Sequence, residues 1–243
     1  MRLVMLLPPS EGKRPGGQGR WAPGSGRFGR RLGPQRADVA AHLAAAMADT
    51  SEAARLTGVS GLRQRAAAAA NSATVGGPAL PAWQRYTGVV WEHLDPETLD
   101  GEARRRAEGI VVVSALGGLF GFDDPVPDYK LKVGARLEGL GALWRWWQPV
   151  LGPALARASA GATVVDLLPD EHRRALPADL AARRVEFRTP TGRAAGHAAK
   201  AAKGRFARHL LDSDGPIEEA AGEFRWEGWR GDPTGEKLVV RGG

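Results

Sequence analysis

The run Gly109-Ile110-Val111-Val112-Val113-Ser114 constrains the fold more than any other stretch of the chain. Four consecutive β-branched residues are stiff at χ1 and pack well on a pleated surface, and small residues close the run at both ends. It is the clearest strand in the sequence, and Gly117, Gly118 and Gly121 predict a flexible turn directly after it. Arg2–Leu7 is a second apolar run, ended by Pro8-Pro9, and reads as a buried strand. Ala162–Leu168, Lys130–Val133, Arg184–Arg188 and Lys237–Arg241 complete the expected strands. Ala37–Met47, Ser51–Leu56, Leu62–Asn71, Leu137–Leu155, Asp170–Leu176, Gly192–Leu211 and Pro216–Ala221 read as helices, with Thr50 or Ser51 as the N-cap of the second. Pro8 to Arg36, rich in glycine, proline and arginine, reads as a loop. Tyr86–Leu94 mixes β-branched and aromatic residues and its type stays open. Strands alternating with helices, and no separating linker, predict one α/β (or α+β) domain over residues 1–243, a mixed sheet with surrounding helices.

The chain has 243 residues and no cysteine, which excludes disulfides, thiolate metal sites and cysteine nucleophiles. No run approaches the ~20 apolar residues of a membrane helix, and Pro8-Pro9 interrupts Met1–Leu7 too early for a signal-peptide core. A cytoplasmic protein with no membrane association is expected. The net charge is +7. Such a balance favours polyanions: nucleic acid, phosphorylated metabolites or acidic headgroups. The excess of arginine, alanine, glycine and proline fits GC-rich codon usage equally well.

Several constellations carry chemistry. Ser10, Glu11 and Lys13 present a hydroxyl, a carboxylate and an ammonium after the first strand, at the edge where open α/β sheets bind ligands. The G-x-x-x-x-G-K-[ST] spacing of a P-loop is missing there. Ser114 opens a glycine-rich loop that could offer backbone N–H groups to an anion. Asp123, Asp124 and Asp128 follow it, as a solvated cluster or a hard-cation site, and then Tyr129, Lys130 and Lys132. His197, Lys200 and Lys203 recur every third residue with Arg205 and Arg208 nearby, a basic helix face too costly to bury unpaired. Trp144 and Trp147 share a helix face, as core or as a stacking surface. Leu56–Leu62 and Leu137–Gly141 place glycines between helical segments, like the turn of a helix-hairpin-helix DNA-binding module. The histidines show no metal-ligand spacing, Asp170-Glu171-His172 reads as a polar helix start, and neither a metal site nor a cofactor is expected.

In their order along the chain, these segments resemble the YaaA family of peroxide-stress proteins. Leu6-Leu7-Pro8-Pro9-Ser10-Glu11-Gly12-Lys13 is similar to its N-terminal signature, and Tyr86-Thr87-Gly88-Val89-Val90-Trp91 to its second block. Ser114–Phe122 with Pro125, Tyr129, Lys130, Leu131 and Lys132, then Val164–Leu168 with Glu171, then His197, Lys200, Lys203, Gly204, Arg205 and Arg208 are similar to the later ones. Three places depart: Asp166 stands where an asparagine is common, Pro169-Asp170-Glu171 replaces a small-residue-Asn-Glu stretch, and Lys203 stands where the family's Lys-x-x-Arg-Gly has arginine, a change that loses the bidentate fork. The resemblance implies a fold peculiar to the family, a role in peroxide survival and in lowering free iron, and DNA binding through a helix-hairpin-helix-like element. It does not settle whether the chain is an enzyme. Two readings follow. One is a DNA-binding stress protein. The other is an enzyme on a small anionic or nucleotide-like substrate, including one of specialised metabolism. There Glu11, Lys13 and Lys200 would be catalytic, and Ser10, Ser114, Tyr129, Lys132, Lys203 and Arg205 would bind the ligand.

Overall fold

The computed structural model describes residues 2–189, 196–233 and 237–242. In chain order the elements begin with β1 (Leu3–Leu7), β2 (Gly19–Arg20), α1 (Gly29–Ala46), α2 (Thr50–Thr57) and α3 (Gly61–Ser72). Next come β3 (Pro78–Pro81), α4 (Ala82–Arg85), α5 (Val89–Leu94), α6 (Gly101–Ala107), β4 (Ile110–Ser114), β5 (Gly118–Gly121) and β6 (Pro125–Pro127). A hairpin, β7 (Arg136–Leu137) and β8 (Gly141–Ala142), leads into α7 (Leu143–Ala158). The last part holds β9 (Thr163–Asp166), α8 (Asp170–Arg173), β10 (Arg183–Arg188), α9 (His197–Asp212), α10 (Ile217–Glu223), β11 (Arg225–Trp226), β12 (Trp229–Asp232) and β13 (Leu238–Arg241).

Eight strands form one sheet in the order β11-β12-β13-β10-β9-β1-β4-β5. Its middle, β13-β10-β9-β1-β4, is parallel, and β5, β12 and β11 pair antiparallel at the two ends. Every residue of β1 and β4 is buried, as their unbroken apolar runs demand of parallel strands covered on both faces. Numbered by chain position, the parallel strands run 2-1-3-4-5. The chain therefore reverses direction at β1, laying β4 on one side and β9 on the other. Such a reversal opens a crevice beyond the carboxyl ends of β1 and β9. A small sheet, β2-β3-β6, lies apart from the large one. One apolar cluster runs from Leu3 to Val240.

Several expectations need correction. The Pro8–Arg36 loop ends early, because α1 starts at Gly29 and buries Leu32, Arg36, Val39, Ala40 and Leu43 at helical spacing despite Pro34. Arg36 is fully buried; its guanidinium donates to the carbonyls of Pro23, Ser25, Gly117 and Leu119 and stacks over Phe120. That satisfies most of its five donors. The glycines after β4 do not make a loose turn, since Gly118–Gly121 is the buried strand β5, and Gly118 adopts φ +65° with the Trp147 ring where a side chain would start. The cap of α2 is Asp49, accepting from the Ser51 and Glu52 amides. Lys130–Val133 joins no ladder and ends in a turn at Val133: the buried Asn71 side chain brackets Lys130, accepting from its N–H and donating to its carbonyl. Leu137–Gly141 belongs to a β-hairpin rather than a helix. Tyr86–Leu94 resolves into an extended start and the helix α5, and α6 appears where no element was expected. The expected helix start at Gly192 lies outside the described residues; α9 is described from His197.

Candidate functional site

Three segments leave the carboxyl ends of β1, β4 and β9 and meet in a cleft of about 160 Å³. Pro9, Ser10, Glu11 and Lys13 come from the first, Ala115 from the second, and Glu171 and His172 from the third. Tyr129, Lys130, Leu131, Lys132 and Val133 close the remaining side.

The loop after β1 is held in place by the Tyr86–Trp91 segment. Trp91 Nε1 donates to the Pro8 carbonyl at 3.1 Å, and the Thr87 N–H donates to both Ser10 Oγ and the Gly12 carbonyl. Ser10 in turn donates to the Gly12 carbonyl, so its hydroxyl is spent on shaping its own loop. Gly88 is required beside it, because a Cβ there would lie 2.7 Å from the Ser10 Cβ. Lys13 folds back beneath, its Nζ 2.9 Å from the Ser10 carbonyl and 4.2 Å from the Tyr129 ring centroid. Burial pulls its pKa down to about 8, with Asp128 opposing and Lys130 and Arg85 reinforcing the shift. Near neutral pH this ammonium is charged yet poorly solvated, a state that an anion would relieve.

Tyr129 shows the cleft its ring and turns its hydroxyl inward. That hydroxyl bonds Ser114 Oγ at 2.8 Å and the Tyr86 hydroxyl at 3.1 Å, and all three residues are buried. Burial raises both phenol pKa values. Ser114 thus supports the cleft wall from behind. Glu11 is exposed and pairs loosely with Lys130 at 3.7 Å and Lys132 at 4.0 Å. Exposed pairs of this kind hold little energy, so both lysines stay available to a ligand.

The third wall depends on α8. The Glu171 carboxylate accepts from the Gly134 N–H at 3.2 Å, tying α8 to the lysine-bearing segment. Asp166, nearly buried at the end of β9, accepts from the Leu168 N–H and from Arg173 at 2.6 Å. His172 is partly buried, its Nδ1 has no hydrogen-bond partner among the described residues, and burial with the nearby Lys203 charge brings its pKa to about 4. It is a neutral imidazole at physiological pH.

The structure therefore gathers Ser10, Glu11, Lys13, Tyr129 and Lys132 in one place, with Ser114 behind them. Lys200 and Lys203 line a different groove, with Asp170, Arg173, Phe187 and Arg188. Lys203 donates to the Leu167 carbonyl at 2.6 Å, and burial lowers its pKa to about 8. Through His172 its charge reaches the cleft, whereas Lys200 and Arg205 are exposed on α9 and line no part of it. The three aspartates part company. Asp124 accepts from the Arg27 and Gly121 amides, Asp123 from Trp83 Nε1 and Arg104, and Asp128 acts on Lys13. No group of three metal-ligating side chains occurs among the described residues. Trp147 is core, and its Nε1 donates to the Ala115 carbonyl; Trp144 packs beneath Arg145 and Arg174. His172 and Tyr86 were missed as site residues; the signal for His172 was its place just past a strand end.

The helical pair α2 and α3 stands at the cleft mouth. Gly58 ends α2 at φ +65°, and a side-chain carbon on it would lie 4.0 Å from Lys132 Nζ. Ser60 makes no side-chain cap to α3, whose first turn has no acidic residue, and Leu62 at the tip is 76% exposed. No helix of the described residues is long and apolar enough to cross a membrane.

A family model described as "Peroxide stress protein YaaA" matches residues 3–234. A UPF0246 protein of Streptomyces coelicolor is 35% identical over 228 residues, covering 89% of this chain and 87% of its own length. A UPF0246 protein of Corynebacterium efficiens is 31% identical, with 68% of this chain and 66% of its own covered. One from Caulobacter vibrioides is 30% identical, with 63% and 65% covered.

Proposed function

This chain belongs to the YaaA family of peroxide stress proteins, and on that premise we propose that it serves the peroxide response by binding DNA through its basic surface. The observation that carries this reading is the α2–Gly58–α3 turn: a left-handed glycine leading into a helix start without a cap, beside Lys132 and with Arg63 and Arg65 close behind. Such a helix-hairpin-helix-like turn offers backbone N–H groups and the positive end of a helix to a phosphate. Binding to a duplex of arbitrary sequence, followed by fluorescence anisotropy, should weaken steeply with salt, because each phosphate contact releases counterions. Replacing Arg63 and Arg65 by alanine should lower the slope of log affinity against log salt by about one per lost contact. A flat salt response, or no binding at low salt, ends the reading.

The cleft favours a second reading, an enzyme acting on a small anionic substrate. Three ammonium groups and a neutral imidazole converge at the sheet's reversal point, where open α/β folds hold their ligands. In this reading Lys13 and Lys132 hold the anion, Glu11 exchanges a proton, and Lys203 acts through His172 rather than by contact. Native mass spectrometry of the purified chain tests it: a retained small anion that is lost in Lys13→Met supports it, and an empty protein that binds no small anion opposes it.

A further inference from the structure

The opposite edge of the sheet carries an unbalanced charge. Arg2 precedes β1, and Ala158 and Ala160 precede β9, so this is the amino end of the parallel strands. Arg2, Arg27, Arg30, Arg31 and Arg157 line an open groove of about 550 Å³ there, and no carboxylate lines it with them. An adjoining groove shares Arg2 and Arg27 but also contains Glu102, Glu108, Asp123 and Asp124. The contrast shows that the local sequence can supply counter-charges and has left this groove without them.

The plain alternative is that the arginines neutralise the carboxyl end of α7. Arg2 donates to the carbonyls of Ala158 and Ala160, and Arg27 to those of Ala158 and Glu108. A helix terminus, however, has only about half an elementary charge. It offsets one guanidinium at most, against five. Arg30, Arg31 and Arg157 have no side-chain hydrogen bond or ion pair within the described residues. Arg30 and Arg31 also sit in the first turn of α1, which has no acidic residue, so they stand at the positive end of a second helix. Arg27 and Arg2 lie close enough for mutual repulsion, and Asp124, whose two oxygens accept from backbone N–H groups, offsets part of the Arg27 charge alone. Among the described residues, every side chain that lines the groove, from the β1 entry, the Arg27–Phe28 segment, α1 and α7, is positive or apolar.

The geometry points to a second anion site at this edge, for a compact oligophosphate with three or more negative charges. Several guanidinium forks around one groove match a chain of phosphate oxygens better than a single monoanion. Phe28 is buried beneath Arg27, so no exposed ring in the lining can stack a base. The site should read the phosphate chain and ignore what is attached to it.

Calorimetric titration of the full chain with inorganic triphosphate at low salt tests this. A saturable site that depends on these arginines is expected, whether or not the lysine cleft takes up a second equivalent. The double variant Arg31→Ala/Arg157→Ala should weaken it by roughly tenfold or more, and Lys13→Met, in the cleft at the other edge, should leave it unchanged. Both arginines are exposed and unpaired, so the double variant should unfold at the wild-type temperature, which separates loss of the site from loss of the fold. With its guanidinium groups taken up by the phosphates and no exposed aromatic ring in the lining, adenosine triphosphate should bind within about threefold of bare triphosphate. Absence of saturation overturns the proposal. So does loss of binding in Lys13→Met with retention in the arginine variant, or a strong preference for the nucleotide. The site is independent of the α2–α3 turn, and failure of duplex binding would not touch it.

Discussion

Replacing Lys13 by methionine keeps a stem of similar length and removes the ammonium held 4.2 Å from the Tyr129 ring. Hydrogen bonds to charged groups are worth about 1.5–3 kcal/mol, so an anion seated on Lys13 should bind roughly ten- to a hundredfold more weakly to the variant. The pH dependence is the sharper readout. Burial has brought the Lys13 pKa from 10.5 to about 8. Charged Lys13 is the anion-binding form, so wild-type affinity should be highest below that pKa and fall as pH rises through it. Sulfate is the useful probe, because it stays a dianion across the whole range and only the protein titrates. Between pH ~6.5 and pH ~9.5 its affinity should drop by about tenfold or more, one decade being worth 1.36 kcal/mol. Lys13→Met should be weak at both ends and lack this drop. Lys203 also titrates near 8, but it lines another groove, so Lys203→Met should keep the drop. A flat wild-type profile refutes the reasoning. So does a drop that survives in Lys13→Met and vanishes in Lys203→Met, because the titrating cation would then lie on the other side of the β9–α8 link.

Two further outcomes are expected. A Cβ on Gly204 would lie 2.3 Å from the Val90 carbonyl and 2.7 Å from the His93 Cβ, where α9 crosses α5. Gly204→Ala should therefore destabilise by about 1–3 kcal/mol through overpacking, in spite of alanine's better helix propensity, and an unchanged thermal midpoint would show that the crossing is looser than described. His172 has a folded pKa near 4 against 6.5 for the free side chain, so the unfolded chain takes up the proton first. Stability should fall as pH drops from 6.5 towards 4, by up to about 3 kcal/mol, and His172→Gln should remove that part of the acid loss in denaturant titrations.

The parallel core was readable because its strands are unbroken apolar runs, a pattern that survives any choice of neighbours. Gly109–Ser114 and Arg2–Leu7 fold as read, and the Ser10–Lys13 turn sits at the strand ends where such turns bind ligands. The failures have a common cause, which is that the deciding partner lies far along the chain. Helix α1 was hidden by Gly29, Gly33 and Pro34; what secures it is Arg36, stapling carbonyls around residues 117–119. The alternation in Lys130–Val133 is real, but the group that pairs with it is the Asn71 side chain instead of a strand. Lys203 was visible as part of a basic helix face. Only the packing of α9 against the β9 exit separates it from Lys200, which shares that face in sequence and faces solvent in space.

Two of the departures from the family pattern, Asp166 and Lys203, illustrate what spatial context adds. Asp166 and Lys203 are 37 positions apart and read as unrelated changes, one adding a negative charge and one trading a fork for a point charge. In the structure they share a corner. Asp166 is nearly buried, so its carboxylate needs a cation, and Arg173 supplies one at 2.6 Å. Lys203 donates to the carbonyl of Leu167, the next residue along, and feels the Asp166 charge as its largest favourable influence. An arginine at 203 would bring a second wide guanidinium to a corner that Arg173 already occupies, and an asparagine at 166 would leave Arg173 without its buried counter-charge. The aspartate and the lysine are mutually consistent in a way that either alone is not. Burial depresses the His172 pKa and Lys203 adds to it, so this corner contributes to the charge state of one wall of the cleft and links the departures to whatever the cleft binds.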